Sequence, residues 1–134
     1  MRPGHEFEAQ TYRLTRADLL AYAAASGDPN PIHQDEDIAR SVGLPGVIAH
    51  GMLTLGLAGR AVATWTDDAE VVELGCKFTH PVVVPADTGV DVVVAGTVKS
   101  VTDDLVMIAL EVTCGGEKVL TMPRATVRRV TTSG

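Results

Sequence analysis

From His50 to Trp65 the chain reads HGMLTLGLAGRAVATW, with Arg60 its only fixed charge and no carboxylate. At helical pitch these residues span roughly 24 Å. A helix without a polar face has to be buried. Gly56 and Gly59 each weaken a helix by about 1 kcal/mol relative to Ala. Glycines in such a helix are explained by another backbone pressed close, such as a sheet wrapped around it. The rest of the chain therefore has to supply that wrapping.

Downstream it reads as strands. From Val72 to His80 residues alternate, with Val72, Leu74, Cys76 and Phe78 to one side and Glu73, Lys77 and Thr79 to the other. Pro81 and Pro85 break or bend the chain. Val90, Val92, Val94 and Val98 form the inner face of the next strand, and Val106, Ile108, Leu110 and Val112 that of a third. Asp103-Asp104 reads as a turn and Gly115-Gly116 as a tight hairpin. A last strand runs from about Lys118 to Val130, where Pro123 implies an edge position or a bulge. Helices first and strands after them mean α+β, not a doubly wound fold. The expected architecture is an antiparallel sheet around one long buried helix. With 134 residues, 46% of them apolar, residues 1–134 fit a single domain with one core. Thr131 to Gly134 are expected to fray.

Ahead of the apolar run, Glu6 to Leu14 is a weak strand candidate. Thr15 can cap a helix, and Asp18 resembles the partner of a capping box. Leu19, Tyr22, Ala23 and Ser26 share one helical face, and Gly27 suits the left-handed residue that ends a helix. The chain then enters Asp28-Pro29-Asn30-Pro31-Ile32-His33. Two prolines remove backbone donors and fix φ, so this stretch is stiff and irregular. Two readings stay open on these residues alone. One is an ordinary turn between helices, since Gly, Asp, Asn and Pro are common turn formers. The other is a rigid loop holding Asp28 and His33 as an acid/base pair. A second, short helix is expected from about Asp35 to Val42, with acidic residues at its start and Ile38, Ala39 and Val42 as its apolar side.

Eleven Lys and Arg against seventeen Asp and Glu leave a net charge of -6, and no basic run exceeds Arg128-Arg129. Nucleic acid binding is not expected, because it needs clustered cations. No apolar run reaches the ~18 residues that span a bilayer, so no membrane segment is expected. Met1 to Gln10 has no apolar core of a secretory signal. Cys76 and Cys114 stand apart in strand-like stretches, where a free Cys behaves as a small hydrophobe. A reducing, cytoplasmic setting is expected. Asp28, His33, Asp35 and His50 match no trusted metal-ligand spacing, so neither a metal nor another cofactor is expected.

Tyr22 through His33, read as Tyr-Ala-Ala-Ala-Ser-Gly-Asp-Pro-Asn-Pro-Ile-His, resembles the motif of MaoC-like (R)-specific enoyl-thioester hydratases and dehydratases. Ala49-His50-Gly51-Met52 resembles that family's second signature. Thr15 to Trp65 and the short length further resemble the catalytic beta subunit of the (3R)-hydroxyacyl-carrier-protein dehydratase of type II fatty-acid synthesis. The resemblance covers essentially the whole chain. It implies a hot-dog fold and reversible hydration of a trans-2-enoyl thioester, carried by coenzyme A or acyl carrier protein, to the (3R)-3-hydroxyacyl form. It implies His33 as main base, Asp28 orienting a shared water and exchanging a proton, and Gly51 as a backbone donor to the thioester oxygen. Asn30 is expected near the substrate or orienting the loop; Ser26 and His50 are expected as support. It also implies a dimer, with an identical or a non-identical hot-dog subunit. Two alternatives remain. A hot-dog thioesterase would carry a carboxylate on the central helix, and Gly51 to Trp65 has none. A non-catalytic acyl-binding subunit would not need the Asp28/His33 pair.

Overall fold

The computed structural model describes residues 1–28, 30–78 and 80–129. The expectations on Pro29, Thr79, Val130 and the tail Thr131 to Gly134 lie outside them.

A short strand β1, Gln10–Leu14, leads into helix α1, Arg16–Ser26. The expected strand start at Glu6 shrinks to a single bridge to Thr97. Thr15 caps α1, and the capping box with Asp18 is complete in both directions. Gly27 ends the helix at φ 73°, the left-handed conformation that costs a glycine little. A single 3-10 turn, Pro31–His33, follows with Pro31 in its first turn. The motif loop is thus not wholly irregular: one tight turn sits inside it. Helix α2, Glu36–Ser41, is capped by Asp35, which accepts from the N–H groups of Asp37 and Ile38. Of its expected apolar side only Ala39 is buried; Ile38 and Val42 are exposed.

Helix α3, Gly51–Trp65, starts one residue later than expected, with His50 in the capping position. It is not buried all round. Thr54, Leu55, Leu57, Ala58, Ala61 and Val62 are buried. Met52, Gly56, Arg60 and Thr64, four apart in sequence, form an exposed stripe. The glycines divide accordingly. A Cβ on Gly59 would come within 3.2 Å of Leu74 Cδ2, so a sheet side chain and not the expected backbone fills that space, whereas one on Gly56 would meet nothing within 4 Å.

Strands β2 (Glu70–Phe78), β3 (Val90–Thr102), β4 (Leu105–Cys114), β5 (Glu117–Lys118) and β6 (Leu120–Arg128) complete one six-stranded antiparallel sheet in the order β1-β3-β4-β6-β2, with β5 paired to β4. This is the hot-dog arrangement, α+β with α3 packed on the sheet. Val92, Val94 and Val98 of β3 and Val106, Ile108, Leu110 and Val112 of β4 are buried against it. Gly96 interrupts the β3 stripe because the ring of Trp65 occupies the space of its missing side chain.

Of the two readings of Pro123, the bulge holds and the edge does not, because β6 pairs with both β4 and β2. Met122, at φ 51°, and Pro123 together face one residue, Cys76, between the pairs Gly75–Arg124 and Lys77–Thr121. The alternation expected of β2 needs correction at Val72, an extra residue between the pairs Val71–Val127 and Glu73–Thr126. Leu74 and Cys76 pack on the core as expected, but Val72 and Phe78 are exposed.

Candidate active site

The motif loop and the start of α3 meet through backbone ties. Ile48 donates its N–H to the carbonyl of Ile32 (3.2 Å), and Ala49 donates to Val82 (2.9 Å). The loop is thereby stitched to the segment that feeds α3, and that segment to the chain beyond β2. Within the loop each polar side chain holds the backbone two residues on. Ser26 Oγ accepts from Asp28 N–H (3.3 Å), Asp28 Oδ1 from Asn30 N–H (3.2 Å), and Asn30 Oδ1 from Ile32 N–H (3.2 Å). Asn30 also caps the 3-10 turn that carries His33. Its side-chain carbonyl is thus engaged in loop geometry.

His33 is 7% exposed. Its Nδ1 lies 2.7 Å from the carbonyl of Ile48. A carbonyl only accepts, so Nδ1 carries the proton and Nε2 of the neutral ring is left with a lone pair. His50, 2% exposed, stacks on His33 with ring centroids 3.8 Å apart. Tyr22 meets the His50 ring edge-on at 4.7 Å. By the same argument His50 Nε2–H donates to the main-chain carbonyl of Asp28, 3.3 Å away. His50 Nδ1 is buried and has no hydrogen-bond partner among the described residues. His50 thus backs His33 on one side and holds the Asp28 loop on the other.

Asp28 is exposed, while both histidines are buried. One donor atom from each of Asp28, His33 and His50 lies within 4.8 Å of the other two. Asp35, the fourth residue weighed as a metal ligand, is engaged as the cap of α2. The structure thus brings Asp28 and His33 together at one point, as a water-activating pair requires.

Gly51 is the first residue of α3, where backbone N–H groups have no partner within the helix. His50 makes no side-chain cap there. The open N–H groups and the helix dipole favour an anionic oxygen. A cavity of about 300 Å³ is bounded by His33, Ala49, Gly51, Thr54, Val82 and Leu120, among others. A second, of about 480 Å³, is bounded by Tyr22, Ser26, Asp28, His50, Gly51 and Met52. Phe78 lines both.

Phe78 and His80 are wall residues that sequence reasoning did not assign to the site. Alternation placed Phe78 in the core, and His80 sits in no motif.

Arg124 forms an ion pair with Glu73, and Arg128 with Glu70 and Asp104, so these cations are engaged at the surface. Among the described residues no helix is long and apolar enough to cross a membrane.

Comparison with known proteins identifies the family. The chain is 40% identical over 81 residues to the 3-hydroxyacyl-thioester dehydratase X of Mycobacterium tuberculosis, a match covering 60% of this chain and 28% of that protein. It thus spans under a third of that curated relative's length. A solved MaoC-like dehydratase superposes with a TM-score of 0.94 at 34% identity, over 97% of this chain and 41% of that one. The R-hydratase PhaJ1 from Pseudomonas aeruginosa superposes with a TM-score of 0.84 at 27% identity, over 98% of this chain and 84% of that one. Residues 1–115 match the model of the MaoC-like domain, and the chain belongs to that family.

Proposed function

We propose that this chain catalyses the reversible hydration of trans-2-enoyl thioesters to (3R)-3-hydroxyacyl thioesters. The observation that carries the reading is the fixed tautomer of His33. Its Nδ1–H is tied to Ile48, which leaves Nε2 as the base; one ring nitrogen lies within 4.8 Å of an Asp28 carboxylate oxygen, and His33 lines a cavity with Gly51. The names of the relatives, a 3-hydroxyacyl-thioester dehydratase and an R-hydratase, support the same chemistry.

In the hydration direction, a water held between Asp28 and His33 gives a proton to His33 Nε2 as its oxygen bonds to C3. The π electrons of the C2–C3 bond move onto the thioester oxygen, which the Gly51 N–H stabilises. The resulting enolate then collapses as C2 takes a proton from the Asp28/His33 pair, and the net change is addition of one water. A positioned base is worth about 10²–10⁴-fold. Asn30 and Ser26 serve by holding the loop, and His50 by backing the base. The reaction needs no metal and no organic cofactor.

The chain works as one domain, paired with a second hot-dog subunit, identical or not. Hydration of crotonyl-coenzyme A by the purified chain, followed by the loss of enoyl absorbance, tests the reading. His33→Ala should abolish turnover and Asp28→Asn nearly so. Unchanged rates in both variants would overturn the assignment. A chain that is inert alone but active when co-expressed with a second hot-dog protein identifies a heteromeric enzyme.

A further inference from the structure

We propose that Phe78 is a specificity-determining residue that admits straight-chain enoyl thioesters and rejects those substituted at C2. The inference rests on the reading above, with Gly51 as the thioester's donor.

Gly51 lacks a side chain, and the space that one would fill is taken. A Cβ built on it would lie 3.0, 3.1 and 3.3 Å from Cε1, Cδ1 and Cζ of Phe78. The ring therefore rests on the first residue of α3, beside the N–H groups that meet the thioester oxygen. It rests there on one side only, since Phe78 is 54% exposed.

Two cavities meet at the ring. Gly51 and Phe78 belong to both, His33 to one and Asp28 to the other. The contact leaves no gap between the ring and Gly51, so a thioester that reaches both His33 and Asp28 crosses along the ring's open side. The His33 cavity, at about 300 Å³, is at the small end of ligand cavities and has Val82 and Leu120 in its wall, which suits a short acyl chain. Asp28 is exposed, and its cavity takes the pantetheine arm. With the carbonyl at Gly51, the atom against Phe78 is C2. An unsubstituted C2 clears the ring; a methyl in the enoyl plane meets it.

The position of the ring follows from the register of β2. Phe78 pairs with Leu120, another wall residue, and lies on the same side of the strand as Leu74. Leu74 meets α3 at Gly59 and Phe78 meets it at Gly51, so the aromatic continues the helix-facing row to the end where the cleft opens.

The experiment compares wild type with Phe78→Ala, whose half-exposed position leaves the fold intact. Hydration is measured on crotonyl-coenzyme A and on its 2-methyl analogue, tiglyl-coenzyme A. One methyl group against a fixed wall is typically worth about 10–200-fold. The tiglyl-to-crotonyl ratio of kcat/KM should rise at least about tenfold in Phe78→Ala. The same proteins are titrated by calorimetry with butyryl- and 2-methylbutyryl-coenzyme A, which lack the reacting double bond. Wild type should prefer the straight chain, and the variant should bind both alike. A ratio unmoved by the substitution, an equal loss on both substrates, or no binding of either saturated thioester overturns the proposal. If wild type turns over neither enoyl substrate but the calorimetric preference disappears in the variant, the gate stands and the hydratase reading fails.

Discussion

At the scale of single residues, the site is a set of side chains whose polar atoms are already assigned. His33 has one nitrogen bonded to Ile48 and one left for chemistry. Ser26, Asp28 and Asn30 each accept from a backbone N–H in the loop, so the carboxylate is positioned before any ligand arrives. The thiols behave differently. Burial raises the pKa of Cys76, and the nearby Arg124 only partly offsets it. Burial also raises that of Cys114, with Asp91 and Glu117 adding to the shift. Both stay protonated near neutral pH, where a thiol is a weak nucleophile. Iodoacetamide should therefore modify them more slowly than a free cysteine. The linkage has the same sign. As pH rises, the unfolded chain ionises its thiols first, so their contribution to stability is present below the ordinary thiol pKa and is lost as pH climbs through the raised values. The melting temperature of wild type should fall faster on the alkaline side than that of Cys76→Ala/Cys114→Ala. Parallel curves for the two proteins would remove this account. Asp28 and His33 were legible as a pair because five positions of local chain set their spacing. The stacking of His50 was not, because it depends on where the loop is stitched 15 residues later, through Ile48.

Elements carry the next layer. The first turn of α3 offers a test that separates backbone from side chain. Gly51 occupies the position where Pro is best tolerated in a helix, and His50 before it, at φ -60° and ψ 134°, already has the conformation a following Pro demands. Gly51→Ala adds a Cβ against Phe78 and keeps the N–H. Gly51→Pro adds the same carbon and removes the N–H. If that N–H stabilises the thioester oxygen, the Pro variant should lose about 10²–10³ in kcat relative to the Ala variant at a similar melting temperature. Equal rates in the two would assign the role elsewhere. Between sheet and helix, Gly96 makes room for Trp65, whose ring also stacks on Phe7 and whose Nε1–H donates to the carbonyl of Glu8. A Cβ on Gly96 would lie 2.6 Å from Cζ3 of Trp65. Gly96→Ala should cost about 1–3 kcal/mol, read by denaturant unfolding, since overpacking forces the ring from its slot. An unchanged midpoint would show that the ring moves freely. The elements themselves were readable wherever local rules decide them: the capping box at Thr15, the left-handed Gly27, the hairpin glycines at φ 61° and 82°. They misled where register decides, as at Val72 of β2, because an extra residue shows only in the pairing of two strands; Pro123 marked the bulge in β6 because a proline removes a ladder donor.

For the whole molecule, the open question is what the exposed apolar surface is for. β2 is an outer strand of the sheet, hydrogen-bonded on one side to β6, and it exposes Val71 and Val72 as well as Phe78. Unpaired strand edges invite pairing with another chain. The stripe Met52, Gly56 and Arg60 on α3 is likewise open, with the Arg60 guanidinium over the Tyr12 ring. A helix otherwise this apolar, exposed on one side, offers a second surface to a partner. Closed pairing through a two-fold axis would cover the same edge on both copies. Light scattering after gel filtration should therefore give twice the chain mass. Val72→Lys places a charge at the outer edge without touching the core, so it should yield folded monomer. A dimer unaffected by that charge would place the contact away from β2. A monomeric wild type that gains mass only with a second hot-dog protein would show that the edge is made for a different subunit.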